Sequence, residues 1–287
     1  GLFTTGRKVL VRQKGWFPSR WRHFYEAGAI PAESLVLKAR RADSRPELDE
    51  RQRPFEPVPI AEAVAVIEAQ RPDLVFAPHV ETASGMILPD GYMKAIADAV
   101  HKGGGLFVLD CIASGGAWVD MQATGVDVLI SAPQKGWSAS PCSGLVLLSA
   151  AAKAAVKASA SSSFVCDLKK WLEIMEAYEK GGHAYHATMP TDALRGVRDD
   201  MLETEATGFA KMEAAQFELG ERVRRLLAQR GFASVAAEGF AAPGVVVCYT
   251  DDPGIKSGAK FLAAGLQTAA GVPLMCDEGA DFQTFRI

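Results

Sequence analysis

Three short apolar runs that each lead into polar residues constrain the fold of this chain more than any other feature. The runs are 73–78, 105–110 and 126–131. Short apolar runs bounded by turn residues are typical of buried strands. They lead into Thr82, Asp110 and Lys135, and two neighbouring segments, 60–70 and 89–102, have the pattern of helices.

This alternation of strands and helices predicts an α/β fold with a mainly parallel sheet flanked by helices. The carboxyl ends of parallel strands meet at one edge of the sheet, which is where open α/β sheets place their ligands. We therefore expect Thr82, Asp110 and Lys135 to share one crevice. The triple glycine at 103–105 precedes a strand and does not follow one, which favours a helix stop over a phosphate loop.

A second, smaller unit is predicted toward the C-terminus. Residues 192–229 have the pattern of a long charged helix with a break near 205–208. The later elements are a strand at 244–249, a helix from about 254 to 269 and a final segment at 282–287. We expect a large α/β domain at 1–191 and a small α+β domain at 192–287.

Composition excludes several classes of function. Hydrophobic residues make up 48% of the chain and charged residues 23%, as in ordinary soluble domains. The net charge of -3 gives no reason to expect nucleic acid or an anionic membrane as a partner. No signal peptide or long uncharged apolar run is visible, so neither export nor membrane spanning is expected. The five cysteines are scattered without a C-x-x-C pair, which favours reduced thiols in a cytoplasmic protein over disulfides or a metal site.

Several histidine and basic residues are expected to have structural roles and not to bind metal or nucleic acid. His79, His183 and His186 match no common metal site, so we expect ordinary packing roles for them. The aromatic segment at 14–21 is compatible with a surface turn that leads into a helix starting near Trp21. Six basic residues of this region are expected to form a solvated face and not a nucleic-acid site. They are Arg7, Lys8, Arg12, Lys14, Arg20 and Arg22.

Lys135 and Asp110 allow two interpretations. One is a salt bridge at the rim of a domain. The other is a lysine that forms a Schiff base with pyridoxal 5'-phosphate (PLP), together with an acid that pairs the pyridinium nitrogen. Such an acid keeps the ring nitrogen protonated, so that the ring can accept electrons from the substrate.

Five segments resemble those of class V aminotransferases in order and in rough spacing. They are 79–85, 109–116, 131–135, 185–188 and 285–287, and the resemblance covers essentially the whole chain. The chain is most similar to the alanine–glyoxylate and serine–pyruvate branch, which has PLP fold type I. This resemblance implies a PLP-dependent transaminase. It would move an amino group from alanine or serine to a 2-oxo acid, such as glyoxylate or pyruvate, by a ping-pong mechanism.

The resemblance assigns the catalytic and substrate-binding roles residue by residue. Lys135 matches the lysine that binds the cofactor covalently and then moves the α-proton, and Asp110 matches the pyridinium partner. Arg286 matches the arginine that grips the substrate carboxylate, where a planar two-pronged donor fits.

The remaining matched residues are implied to bind the cofactor. Phe17 matches the aromatic residue that stacks on the ring, with Trp16 as the alternative. Thr82 matches a hydroxyl residue at the ring oxygen or at the acid, and Gln134 matches the residue beside the lysine. Tyr185 and Thr188 match residues that reach the phosphate of the neighbouring subunit. The resemblance therefore implies a homodimer with composite sites.

Two departures from the family pattern affect these expectations. The family carries a phosphate-binding loop, at a helix N-terminus, before the first strand found here. It also continues beyond the arginine that matches Arg286, through a further strand and a terminal helix. The chain is therefore expected to be part of a longer protein, truncated at both ends.

Other functions stay open on the sequence. Within the same fold, 2-aminoethylphosphonate transaminases are close, whereas desulfurases and lyases usually carry a histidine where this chain has Gln134. A catalytically silent homologue is a further alternative, because the phosphate loop is missing from the sequence. A nicotinamide dehydrogenase is disfavoured, since no G-x-G-x-x-G follows any predicted strand.

Overall fold

The computed structural model describes residues 7–28, 30, 33–43 and 49–287 of the chain. The strands are β1 Lys8–Gln13, β2 Glu33–Lys38, β3 Arg40–Arg41, β4 Phe55–Glu56, β5 Leu74–Pro78, β6 Val80–Glu81, β7 Met86–Ile87, β8 Leu106–Asp110, β9 Val128–Ser131, β10 Leu145–Leu148, β11 Val247–Tyr249, β12 Ala269–Ala270 and β13 Thr284–Arg286. The α-helices are α1 Trp16–Gly28, α2 Ile60–Gln70, α3 Asp90–Lys102, α4 Met121–Thr124, α5 Ala150–Ala158, α6 Leu168–Glu179, α7 Thr191–Thr207, α8 Phe209–Ala228, α9 Pro253–Lys256 and α10 Ala259–Ala263.

Six strands form the central sheet, in the order β10-β9-β8-β5-β1-β2. Neighbouring strands run parallel except β10, which is antiparallel to β9. Asp110 pairs with Pro78 on one side and with Ile130 on the other, so β5, β8 and β9 end at nearly the same level. The predicted α/β fold with a mainly parallel sheet is confirmed.

Helices cover both faces of this sheet, because its inner strands are apolar on both sides. On one face, Leu10 and Val75 pack with residues of α2 and α3. On the opposite face, Val11 packs with Tyr25 of α1 and Ala152 of α5. Successive residues of a strand point to opposite faces, which is why Leu10 and Val11 belong to different clusters.

The start of the first helix differs from the prediction. Helix α1 begins at Trp16 and not near Trp21. Most of the segment 14–21, which the sequence predicts to be a surface turn, is therefore helical. Pro18 falls in the first turn of this helix, where the missing N–H would have had no partner in the helix.

The expectation of a solvated basic face is wrong for two of its six residues. Arg12 and Lys14 expose only 2% and 1% of their surface. The cause is the position of β1 between β2 and β5, since an interior strand is covered by helices on both sides. Arg7 and Arg20 are exposed, as expected. Lys8 is half-buried, and the side chain of Arg22 lies outside the described part of the chain.

The C-terminal part is built on a three-stranded antiparallel sheet in the order β11-β13-β12. The predicted helix break near 205–208 is confirmed, because Gly208 with φ 96° separates α7 from α8. The predicted helix at 254–269 is wrong. Gly258, with φ 79°, separates the short helices α9 and α10, because a glycine in this conformation interrupts a helix. The domain boundary at 191/192 stays a prediction.

The described residues also bear on membrane spanning, disulfides and metal binding. None of their helices is both long and apolar enough to cross a membrane. All five cysteines are free thiols. No cluster of three or more His, Cys, Asp or Glu side chains within the described ranges is suited to a metal ion.

Candidate active site

Asp110 lies at the carboxyl edge of the central sheet, as the last residue of β8. Its carboxylate accepts a hydrogen bond from the Ile112 N–H at 3.0 Å. Burial raises the pKa of Asp110, and the hydrogen bonds from Ile112 and from the Trp21 side chain oppose this rise. Both donors are neutral groups, so neither of them supplies a positive charge to the carboxylate.

Lys135 lies in the turn that follows β9, the strand beside β8. Its carbonyl accepts a hydrogen bond from the N–H of Ser138, whose φ of 59° is uncommon for a non-glycine residue. The next residue, Gly136, packs on the turn after β8, since a Cβ there would lie 2.9 Å from the Gly115 carbonyl oxygen. The structure therefore brings Lys135 and Asp110 to the ends of neighbouring strands, as the sequence predicts.

Thr82 lies in the tight turn between β6 and β7, directly beyond the end of β5. The turn is closed by the Gly85 N–H, which donates to the Glu81 carbonyl at 2.8 Å, and Gly85 adopts φ 69°. Thr82 is half-buried, whereas Gln134, beside Lys135, is exposed. Both residues thus belong to loops at the predicted edge.

The two aromatic candidates at the start of α1 have different surroundings. Trp16 packs into an apolar cluster that includes C-terminal residues. Phe17 keeps 37% of its surface exposed, and the Arg20 guanidinium carbon lies 5.3 Å from its ring centroid. Phe17 is therefore the ring that is free to contact a ligand, although its stacking role stays a prediction.

Arg286 approaches the same region from the C-terminal sheet. Its Nε donates a hydrogen bond to the Ala270 carbonyl at 2.8 Å, which holds the guanidinium stem between β12 and β13. Burial lowers the pKa of Arg286, and the negative charge of Glu81 opposes that shift. Because Glu81 precedes Thr82, this interaction connects β13 with the carboxyl edge of the large sheet.

Tyr185 and Thr188 lie on the loop between α6 and α7. Their hydroxyl oxygens are 3.0 Å apart, and 78% of the Tyr185 surface is exposed. An exposed pair of this kind is compatible with the expected role toward a neighbouring subunit, which stays a prediction.

Two buried charges at the site, Lys14 and Glu81, were missed at the sequence level. Each exposes 1% of its surface. Lys14 Nζ donates to the His79 carbonyl at 3.0 Å, and Glu81 Oε1 accepts from the Ala83 N–H at 3.0 Å. The sequence contains a signal for both residues. Lys14 follows strand β1 much as Lys135 follows strand β9, and Glu81 directly precedes the predicted site residue Thr82.

Burial brings the pKa values of this acid and this base close together. It lowers the pKa of Lys14 to about 7 and raises the pKa of Glu81 to about 7, and the attraction between the two charges opposes both shifts. Burial also lowers the pKa of His79 to about 3, so its imidazole is neutral, and its Nδ1 lies 2.8 Å from Ser114 Oγ. These three buried residues, Lys14, His79 and Glu81, form the floor of the site.

The chain is similar to a known protein family over most of its length. The family model described as aminotransferase class-V matches residues 52–268, which is well over half of the chain. The chain belongs to the class V aminotransferases. Enzymes of this family depend on PLP.

The individual relatives include two kinds of aminotransferase. The alanine–glyoxylate aminotransferase of Oryctolagus cuniculus is 28% identical over 176 residues, which make up 60% of this chain and 44% of that protein. The 2-aminoethylphosphonate–pyruvate transaminase of Phocaeicola vulgatus is 27% identical over 140 residues, which make up 48% of this chain and 37% of that protein. The chain thus spans less than half the length of these curated relatives.

Solved structures confirm PLP fold type I. The alanine–glyoxylate aminotransferase from Nostoc sp. superposes with a TM-score of 0.78 at 20% identity, covering 99% of this chain and 70% of that one. At this level of identity the likeness concerns the fold alone.

The residues at the carboxyl edge fit PLP in this class V aminotransferase. Asp110 offers a carboxylate whose hydrogen-bond donors are both neutral, which suits a protonated ring nitrogen. Phe17 offers a partly exposed ring, and Lys135 offers an exposed amine on the neighbouring strand end. Asp110 and Lys135 are thus the acid and the amine that PLP chemistry requires, and Phe17 is a ring that would stack on the cofactor.

Proposed function

We propose that this chain carries the active site of a PLP-dependent aminotransferase, which moves an amino group from alanine or serine to glyoxylate or pyruvate. The observation that carries the proposal is the juxtaposition of Asp110 and Lys135 at the ends of the adjacent parallel strands β8 and β9. Family membership supports the reaction class, and the alanine–glyoxylate relatives support the substrates.

The chemistry needs an electron sink, which PLP supplies when it is bound. Asp110 would hold the ring nitrogen in its protonated form. A cation at this position also stabilises the Asp110 carboxylate and opposes the pKa rise that burial causes. Phe17 would stack on the ring, while Thr82 and Gln134 would hold its polar edge.

Lys135 would hold the cofactor covalently and then act as a base. When it is not attached to the cofactor, its Nζ would accept the α-proton of the substrate and would later donate a proton back. Its place on an exposed turn leaves the amine accessible to substrate.

Arg286 would orient the substrate through its carboxylate. Its Nε is already tied to the Ala270 carbonyl, which leaves the outer guanidinium nitrogens for a two-pronged contact. Tyr185 and Thr188 would serve the cofactor phosphate of the neighbouring subunit, so the proposed active unit is a homodimer. We further propose a cytoplasmic location.

The test is cofactor attachment to Lys135. PLP is added to the full chain, the complex is reduced with borohydride, and the modified lysine is mapped by mass spectrometry. We expect the label on Lys135, no label in Lys135→Ala, and a normal label in Lys102→Ala. Lys102 is the matched control because it is an exposed lysine, paired with Glu68 at 2.7 Å, at the far end of α3. A label that persists on another lysine in Lys135→Ala would contradict the proposal.

A second candidate is a 2-aminoethylphosphonate transaminase, which the match to the Phocaeicola vulgatus enzyme favours. The two candidates can be separated by testing alanine, serine and 2-aminoethylphosphonate as amino donors. The half-reaction with each donor is measured as a change in the absorption spectrum of the cofactor. Sulfide release from cysteine would instead indicate a desulfurase or lyase. Failure of the full-length protein to bind PLP would favour a catalytically silent homologue.

A further inference from the structure

The loop between α6 and α7, which carries Tyr185 and Thr188, receives little support from its own backbone. At its start, the Gly182 N–H donates to the Ala177 carbonyl at 3.0 Å. Among the described residues, no backbone–backbone hydrogen bond reaches residues 183–189. Side chains must therefore define where this part of the loop lies relative to the rest of the chain.

His186 supplies the side-chain contact that ties this loop to another segment. Its Nε2 lies 2.8 Å from the Phe164 carbonyl oxygen. A carbonyl oxygen only accepts, so Nε2 carries the hydrogen and donates it. Within the described ranges, this is the one hydrogen bond that joins residues 183–189 to a different part of the chain, because the contact between Tyr185 and Thr188 is internal to the loop.

The ring of His186 also packs against two aromatic side chains. Its centroid lies 4.4 Å from that of Phe164 and 5.3 Å from that of Trp171, which it meets nearly edge-on at 78°. Trp171 lies in the first turn of α6, and its Nε1 donates to the Val165 carbonyl at 2.6 Å. Trp171 thereby also fixes the segment that accepts the hydrogen bond from His186. The loop is thus anchored to a support that α6 provides.

His186 differs in exposure from the two hydroxyl residues of its loop. Tyr185 keeps 78% of its surface accessible and Thr188 is exposed, whereas His186 is half-buried. The Tyr185 and Thr188 hydroxyl oxygens lie 3.0 Å apart, and each hydroxyl group can make more than this one hydrogen bond. His186 therefore contacts the rest of its own chain, while the two hydroxyl groups remain accessible to a ligand outside it.

We propose that His186 is a positioning residue for the phosphate group of the cofactor, because it holds the loop in the place where Tyr185 and Thr188 contact that phosphate. This inference rests on the proposed function, which takes these two hydroxyl groups as contacts of the neighbouring subunit's cofactor. A loop without this anchor has more conformational freedom to lose when the phosphate binds, and that loss weakens binding. His186 itself touches neither the phosphate nor the reacting atoms, and no covalent bond changes.

The test compares PLP with pyridoxal, which lacks the phosphate. The Kd of each compound for the full chain is measured from the absorption spectrum of the bound form. The ratio of the two Kd values measures what the phosphate contributes, whichever lysine holds the aldehyde end. A residue that supports only the fold would change both Kd values together, whereas a positioning residue for the phosphate changes the ratio.

Two substitutions separate the hydrogen bond of His186 from its packing. His186→Phe keeps a ring beside Phe164 and Trp171 but removes the N–H donor. It should weaken PLP binding by roughly fivefold to tenfold, the usual effect of one hydrogen bond, and leave pyridoxal binding unchanged. His186→Gln keeps an N–H donor and should restore most of the affinity for PLP.

The matched control is His183→Phe, a histidine substitution on the same loop. His183 is exposed and makes no hydrogen bond or ring contact with the described residues, so both Kd values should stay at the wild-type level. In a variant that combines Tyr185→Phe with Thr188→Val, adding His186→Phe should not change the ratio further. The effects are not additive because His186 acts through the two hydroxyl groups.

The outcomes separate this inference from the proposed function. If His186→Phe leaves the ratio at its wild-type value while the combined Tyr185 and Thr188 variant lowers it, the inference is wrong and the proposed function stands. If the combined variant also leaves the ratio unchanged, the two hydroxyl groups do not serve the phosphate, and the inference falls with that part of the proposed function. Should His186→Phe not fold, Trp171→Phe replaces it, because it removes the N–H that holds Val165, and an unchanged ratio in that variant would overturn the inference.

Discussion

The two sides of the candidate site differ in how deeply they are buried. On the side of β1 and β5, Lys14, His79 and Glu81 expose at most 2% of their surface. On the side of β9 and β10, Lys135 is exposed and Leu147 keeps 49% of its surface accessible. One side is a packed polar floor, and the other is an open rim that carries Lys135, the proposed attachment point of the cofactor.

This difference separates two lysines that look alike in the sequence, since both follow a parallel strand of the same sheet. Burial lowers the pKa of Lys14 to about 7, and its Nζ is held by the His79 carbonyl. A buried and hydrogen-bonded lysine of this kind helps to hold the site in place. An amine that must form and break a covalent bond has to be reached by its ligands, which the exposure of Lys135 allows. Burial, and not residue type, therefore distinguishes Lys14 from Lys135, the lysine proposed to bind the cofactor.

The largest expected loss of stability comes from Glu81→Ala, a substitution on the buried side of the site. The substitution leaves Lys14 buried without its acidic neighbour and removes the acceptor of the Phe17 and Ala83 N–H groups. Loss of a buried hydrogen-bond acceptor together with the acid nearest a buried lysine costs on the order of 3 kcal/mol in free energy of unfolding. Urea denaturation measures this loss. A loss well under about 1 kcal/mol would mean that the floor tolerates change like an exposed surface.

Close packing in the floor can be tested with a pair of glycine substitutions. Gly15→Ala pushes a methyl group into the Glu81 side chain, which should cost about 1–3 kcal/mol. Gly91→Ala is the matched control, because a Cβ at this position in α3 would meet nothing within 4 Å. Alanine favours a helix, so the control should gain up to about 1 kcal/mol. Equal effects at both positions would contradict the packed floor.

A smaller effect is expected in the pH dependence of stability. The raised pKa of Glu81 stabilises the folded chain below the unfolded-state pKa, and this contribution is lost as the pH rises toward about 7. The lowered pKa of Lys14 stabilises the folded chain at alkaline pH, and this contribution is lost as the pH falls toward about 7. Lys14 and Glu81 should therefore together produce a stability minimum near neutrality. Denaturation curves of Glu81→Gln should lose the acidic limb of this minimum, and those of Lys14→Met the alkaline limb.

The open side of the site was more predictable from the sequence than the buried side. Asp110 and Lys135 could be placed together because apolar runs mark strands and parallel strands end at one edge. The burial of Lys14 was not predicted because it depends on strand order. A local sequence pattern does not show that β1 lies between β2 and β5. The helix predicted at 254–269 is wrong because Gly258 adopts φ 79° and divides the segment into two short helices.

The smallest effect on folding is expected from Lys135→Ala, the change with the largest expected effect on cofactor attachment. Lys135 is exposed and lies on a turn whose contacts are made by the backbone and by Gly136, so its side chain contributes little to packing. The free energy of unfolding should change by less than about 0.5 kcal/mol, as is usual for surface positions. Urea denaturation of the chain without PLP measures this, with Lys102→Ala as the matched exposed lysine. A loss as large as that of Glu81→Ala would show that both sides of the site support the fold, and the division between floor and rim would no longer hold.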